Sequence, residues 1–189
     1  MRPAASTDRV LLGEGDHAAQ QSITDYRLPA KVLHWLTAGL VLVMVSSGVI
    51  AKQLDGGAVA GTLLTLHKTT GILTLLVVVL RVIYRLTRVD PVGSPHADRR
   101  PGLHWMLYGM IILVPLLGWA GVSDFGARGI LFGLSLPAIW PEGAGHFDLL
   151  LRMHAYMAFA LLALVALHIG IAMQDYMTRN HPGAPPADR

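Results

Sequence analysis

The sequence predicts an all-α, polytopic membrane protein built as a four-helix bundle, and three observations predict it. Of 189 residues, 53% are hydrophobic and 14% charged, with mean hydropathy +0.50. Soluble domains carry roughly 25% charged residues, so this chain is too apolar for that class. Residues 32–51, 58–80, 102–122 and 152–174 each form an apolar segment with few charges. A helix of about 20 residues crosses the ~30 Å hydrocarbon layer of a bilayer, and each segment is long enough. The connections between them are marked by Gly, Pro, Asp and Arg, as turns and solvated loops require. Residues 26–177 therefore read as one membrane domain, between a polar N-terminal tail over 1–25 and a polar C-terminal tail over 178–189.

The absence of cysteine excludes disulfides, iron–sulfur clusters, thiolate chemistry and covalently attached c-type haem. Nine histidines and eight methionines remain as ligands for any redox centre. The net charge of +3 does not point to nucleic acid. Its basic residues sit at the ends of apolar segments instead of forming a stripe with aromatics, so they report topology.

Residues 1–25 mix charges of both signs with Gly, Ser and Gln, and read as an irregular tail in which His17 is solvated. No apolar run follows the first arginine, so a secretory signal is not expected. The first span lies between Lys31 and Lys52, with His34 near its start and Trp35 placed for the membrane interface. Its Gly39 and Gly48 permit close approach by a helix or by a flat ligand. A turn at Asp55-Gly56-Gly57 leads into the second span, which holds His67, Lys68 and Gly71 and is followed by Arg81 and Arg85. Gly71, one turn after His67 on the same face, leaves room for the edge of a macrocycle. Arg81 has two readings, a partner for an anionic propionate and a snorkelling anchor at the headgroups.

The loop over 87–101 is solvated and carries His96, and the third span then opens with His104-Trp105 and contains Pro115. For His104 three readings stay open: an interfacial residue, a contact to a propionate or quinone, and an axial ligand. The long connection over 123–147 includes the apolar run GILFGLSLPAIW, too short to cross. It is expected to lie over the mouth of the bundle as an interfacial or re-entrant element. The fourth span carries His154 and His168, and His181 falls in the Pro-rich tail that follows.

Spacing sets the depth of these groups. His154 and His168 are fourteen residues apart, as are His67 and Arg81. That is two heptads, so each pair shares a helix face at levels about 21 Å apart. Arg27, Lys31, Arg81, Arg85, Arg88, Arg99, Arg100 and Arg179 border one side of the membrane, while acidic residues balance the cations on the other. The positive-inside rule then places both termini in the cytoplasm. His34 and His168 fall at the cytoplasmic level, and His67 and His154 at the outer level.

Two histidines at each of two levels suit bis-histidine haem. Zinc needs a third or fourth protein ligand, whereas haem iron needs two axial imidazoles and brings its own four nitrogens. Iron ligated on both faces favours electron transfer over oxygen binding. A proton relay is the alternative use of buried histidines, but the four spans hold no Asp or Glu to partner it.

At these residues the chain resembles the prokaryotic cytochrome b561 family, whose relatives include the b-type cytochrome subunits of nickel–iron hydrogenases. The resemblance runs from about Tyr26 to Asp175 and rests on LHWL around His34, His67 with Gly71, Arg81 and Arg85, His104 ahead of PLLGW at Pro115, FGLSLP in the outer loop, and the His154/His168 pair. It implies a four-helix bundle of the bacterial inner membrane with two non-covalent b haems, ligated by His34/His168 and His67/His154, exchanging electrons with quinone. Members similar in size oxidise superoxide and reduce ubiquinone, so the expected function is superoxide:quinone oxidoreductase. The alternative is an electron-transfer and anchor subunit for a hydrogenase or other dehydrogenase, with a redox partner subunit or a periplasmic donor in place of superoxide. Gln174 and Asp175 stand where family members often carry a further histidine, a departure that bears on the quinone pocket and not on the haem ligands.

Overall fold

A computed structural model describes the backbone of residues 7–54, 56–87 and 101–179. His96, His181, Arg88, Arg99 and Arg100 lie outside the described residues, as do the side chains of His17 and Arg27. Four α-helices follow one another: α1 (Thr7–Gln53), α2 (Gly57–Thr87), α3 (Pro101–Phe125) and α4 (Phe147–Arg179). Each contains a stretch long and apolar enough to cross a membrane, over Lys31–Gln53, Gly57–Thr87, Gly102–Phe125 and Phe147–Thr178. The chain is thus a multi-pass, all-α membrane protein embedded in a lipid bilayer. Each apolar stretch extends a few residues past the expected span, because helical hydrogen bonding continues into the headgroup region where side chains are already polar. α1 begins at Thr7, so the stretch expected as an irregular tail has helical backbone ahead of Pro29.

The helices form two antiparallel hairpins, α1–α2 and α3–α4, joined through contact between α2 and α3. The seam between α1 and α2 is built from small and hydroxylated residues: Thr37, Met44 and Ser47 on one side, and Thr70, Gly71, Thr74 and Val78 on the other, all buried. Without a hydrophobic drive between helices in lipid, close packing of small residues is what holds such a seam. The hydroxyls are satisfied inside their own helices, Thr74 donating to the Thr70 carbonyl at 2.7 Å and Thr37 to the Leu33 carbonyl at 2.7 Å. Among the described residues, no Cα of α4 comes within 8 Å of one in α1 or α2. Helices packed directly, with axes about 8–10 Å apart, would meet that distance. α4 therefore stands off from the first hairpin, and side chains bridge the separation.

The connection between α3 and α4 folds over one end of the bundle. α3 stops at Gly126, whose φ of +77° is the left-handed conformation that closes helices and suits glycine. The buried Asp124 then organises the return: its carboxylate accepts hydrogen bonds from the backbone N–H groups of Gly145 and His146, and its carbonyl accepts one from Gly143 at 2.9 Å. Within the loop, Gly129 and Ser135 form an antiparallel bridge around a short 3-10 turn, Leu131–Gly133. Two bonds pin this turn to α2: Lys68 Nζ donates to the Ala127 carbonyl at 2.9 Å, and the Leu131 N–H donates to Thr69 Oγ1 at 3.1 Å. The run GILFGLSLPAIW thus lies over the bundle end as a non-crossing element.

Candidate haem-binding sites

His67 leaves α2 toward α1, and the sequence of α1 makes room for it. Its ring lies against Gly48, where an added Cβ would fall 2.6 Å from Nδ1. Seated there, Nδ1 is 2.7 Å from the carbonyl oxygen of Met44, four residues earlier in α1. A carbonyl can only accept, so Nδ1 carries the proton, and in the tautomer this selects the lone pair is on Nε2. His154 repeats the arrangement on the second hairpin. Its Nδ1 donates to the Val114 carbonyl at 2.8 Å, and a Cβ at Gly118, again four residues later, would stand 3.0 Å from Nδ1. The two rings face each other across the opening between α2 and α4, with centres 5.9 Å apart and planes at 86°. Gly71, one turn beyond His67, is buried against α1, where an added Cβ would meet Met44 Sδ at 3.6 Å, an ordinary contact.

At the other end of the bundle His34, His168, His104 and Arg81 converge. The His34 and His168 ring centres are 6.3 Å apart with planes at 65°, and His104 stands 5.3 Å from His168. Arg81 turns into the bundle instead of out to the headgroups. Its Nη1 lies 3.0 Å from His34 Nδ1, and its guanidinium sits 5.5 Å from the centre of the Tyr108 ring. A guanidinium can only donate, so here His34 Nδ1 is the acceptor, the reverse of His67 and His154. His104 is half-buried and faces this cluster. Arg85 lies over Trp105 and Tyr108, while Trp35 is 72% exposed, as a residue at the membrane interface is expected to be. Gln174 is exposed and Asp175 half-buried on the last turns of α4.

The structure therefore brings together His34 with His168 and His67 with His154, adds Arg81 to the first pair, and places His104 beside it. Sequence reasoning did not reach Met44, Val114 and Gly118, nor Tyr108. Their signal is a carbonyl followed four residues later by glycine, which acquires meaning only when a histidine from the next helix is known to land there.

Among the described residues no three His, Asp or Glu side chains are placed to hold a metal ion by themselves. Paired imidazoles need a group that supplies the rest of its own coordination, as haem does. Imidazoles paired across a four-helix membrane bundle are a ligand set of the kind membrane b-type cytochromes use. A comparison with protein families points the same way: the prokaryotic cytochrome b561 family matches residues 25–177, most of the chain. The chain belongs to that family, and with it to the b-type cytochromes that carry electrons in membranes. No match was found among curated proteins.

Proposed function

We propose that the protein holds two non-covalent b haems, one between His67 and His154 near the outer face and one between His34 and His168 near the cytoplasmic face. Through them it passes electrons from superoxide to the quinone pool of the inner membrane. The observation that carries this reading is the pair His67 and His154, each with Nδ1 committed to a backbone carbonyl and Nε2 left as a ligand. Metal-ligating histidines characteristically give their other N–H to a carbonyl in this way. Distance supports it. Two metal–imidazole bonds of about 2.0–2.1 Å, with ~1.2 Å from each nitrogen to its ring centre, separate the centres by about 6.4 Å. The outer rings stand at 5.9 Å and His34/His168 at 6.3 Å, while His104/His168 at 5.3 Å is the poorest match. This favours His34 as the inner ligand, with His104 a neighbour at the same level suited to a propionate or quinone oxygen.

When bound, haem iron ligated on both faces supplies a one-electron carrier with no open position for dioxygen. The chain does the rest. Met44 and Val114 fix the ring tautomers, and Arg81 supplies a cation for a propionate, releasing His34 Nδ1 as it turns to that carboxylate. The loop tied to Lys68 and Thr69 covers the outer end. In the reaction, two superoxide ions each lose one electron and leave as dioxygen, while one quinone takes up two electrons and two protons.

Rapid mixing of the purified protein with superoxide tests this reading. Reduction of its b-type absorption bands, followed by reoxidation on adding a ubiquinone analogue, is expected; bands that stay oxidised would contradict it. A partner-subunit role instead predicts stable co-purification with a larger dehydrogenase from the native membrane.

A further inference from the structure

The two sites differ in what touches their histidines, and this difference has a direction. At the outer site both rings donate Nδ1–H to backbone oxygens, from His67 to Met44 and from His154 to Val114. An imidazole that gives up hydrogen-bond density at Nδ1 becomes a stronger donor through Nε2, which stabilises the more positive, ferric iron. At the inner site the contact to His34 is a guanidinium, 3.0 Å away, held over Tyr108. A fixed cation in a low-dielectric setting opposes ferric iron and favours the reduced state. On the ring Arg81 adds a positive charge beside the iron, and on a propionate it cancels a negative one; either change favours the reduced state. Next to the outer histidines in sequence, Lys68 turns its ammonium away to the Ala127 carbonyl in the loop, and Arg152 points its guanidinium back to the Asp148 carbonyl. Arg128 is neutralised by Glu142 at 3.1 Å.

Resting on the two-haem reading, we infer that Met44 and Val114, through glycine seats at Gly48 and Gly118, position the outer histidines so that the outer haem is the lower-potential one. Arg81 makes the inner haem the higher-potential one. Electrons then run downhill from the outer face to the cytoplasmic face. The seats are what make the carbonyls reachable. A methyl group at Gly48 falls 2.6 Å from His67 Nδ1 and must push the ring away from Met44, while one at Gly118 falls 3.0 Å from His154 Nδ1 and demands a smaller adjustment.

A spectroelectrochemical titration of the purified, haem-loaded protein in lipid nanodiscs tests the inference. His168→Ala isolates the outer transition and His154→Ala the inner one, which assigns each. The outer transition is expected at the lower potential. Gly48→Ala is expected to raise it and leave the inner one unmoved, with Gly118→Ala shifting it in the same direction by less. Arg81→Gln is expected to lower the inner transition alone, with Arg81→Lys restoring part of it. Gly61→Ala serves as the control, because it lies on an exposed face of α2 with nothing within 4 Å of a Cβ there. An outer transition at the higher potential, or a Gly48→Ala protein with two haems and unshifted transitions, would overturn the inference while leaving the haem sites standing. A wild-type preparation without b-type absorption would overturn both.

Discussion

His154 gives its Nδ1 proton to the carbonyl oxygen of Val114 at 2.8 Å, from one helix of the second hairpin to the other. His67 and Met44 do the same on the first hairpin at 2.7 Å. In both cases the acceptor precedes a glycine by four residues, and the ring lies in the space the missing side chain leaves. The His67/His154 pair is thus assembled twice by the same local means, once in each hairpin, with the two halves meeting across the bundle. The loops of the hairpins differ in length, so the repetition lies in the helix contacts.

The seam that sets the second half can be overfilled. Gly121 is buried where α3 meets α4, and a Cβ there would stand 2.8 Å from Leu151 Cδ2. Gly121→Leu should lower stability by roughly 1–3 kcal/mol through overpacking. Gly61→Leu, on an exposed face with nothing within 4 Å, should leave it unchanged. Thermal denaturation in detergent, followed by the loss of helical circular dichroism, distinguishes them.

Asp124 connects the end of α3 to the start of α4 through two backbone N–H groups. Asp124→Ala leaves both donors without their acceptor and should cost about 2–3 kcal/mol. Asp124→Asn keeps one acceptor oxygen and should cost less. The expected readout is faster proteolysis within residues 126–146 and weaker retention of the outer haem, since α4 carries His154 two turns beyond the tie. Equal protease resistance in all three proteins would remove this role.

Orientation is testable with little engineering, because the natural chain has no cysteine. Ser135→Cys in the exposed loop should react with a membrane-impermeant thiol reagent on intact spheroplasts. Thr178→Cys, at the far end of α4, should react only after lysis. The opposite pattern would invert the topology and exchange the outer and cytoplasmic assignments of the two sites.

Much of this architecture is legible in the sequence for a physical reason. Span length, charge at the span ends and the fourteen-residue spacing of His154 and His168 are one-dimensional quantities, and the bilayer turns them into depth. Depth alone brings His34 to His168 and His67 to His154. Orientation about the helix axes is different, because it depends on which neighbour each face meets. Gly48 could be read as a place of close approach, but not as the seat of His67. Gly118 lies in the PLLGW motif, but nothing in that motif marks it as the seat of His154. For Arg81 the sequence leaves the direction open between propionate partner and headgroup anchor, and the packed structure turns it inward onto His34 and Tyr108. The helical backbone before Pro29 was likewise not evident from a stretch without apolar periodicity.

The central claim, two haems held by two histidine pairs across the hairpins, is tested most directly by counting haem per polypeptide in the wild type and in His67→Ala, His154→Ala, His34→Ala and His168→Ala. The account predicts about two haems in the wild type and about one in each variant, with the same spectrum surviving in His67→Ala and His154→Ala and a different one in His34→Ala and His168→Ala. A variant set that keeps the full haem complement, or spectra that group the histidines in any other way, would contradict it.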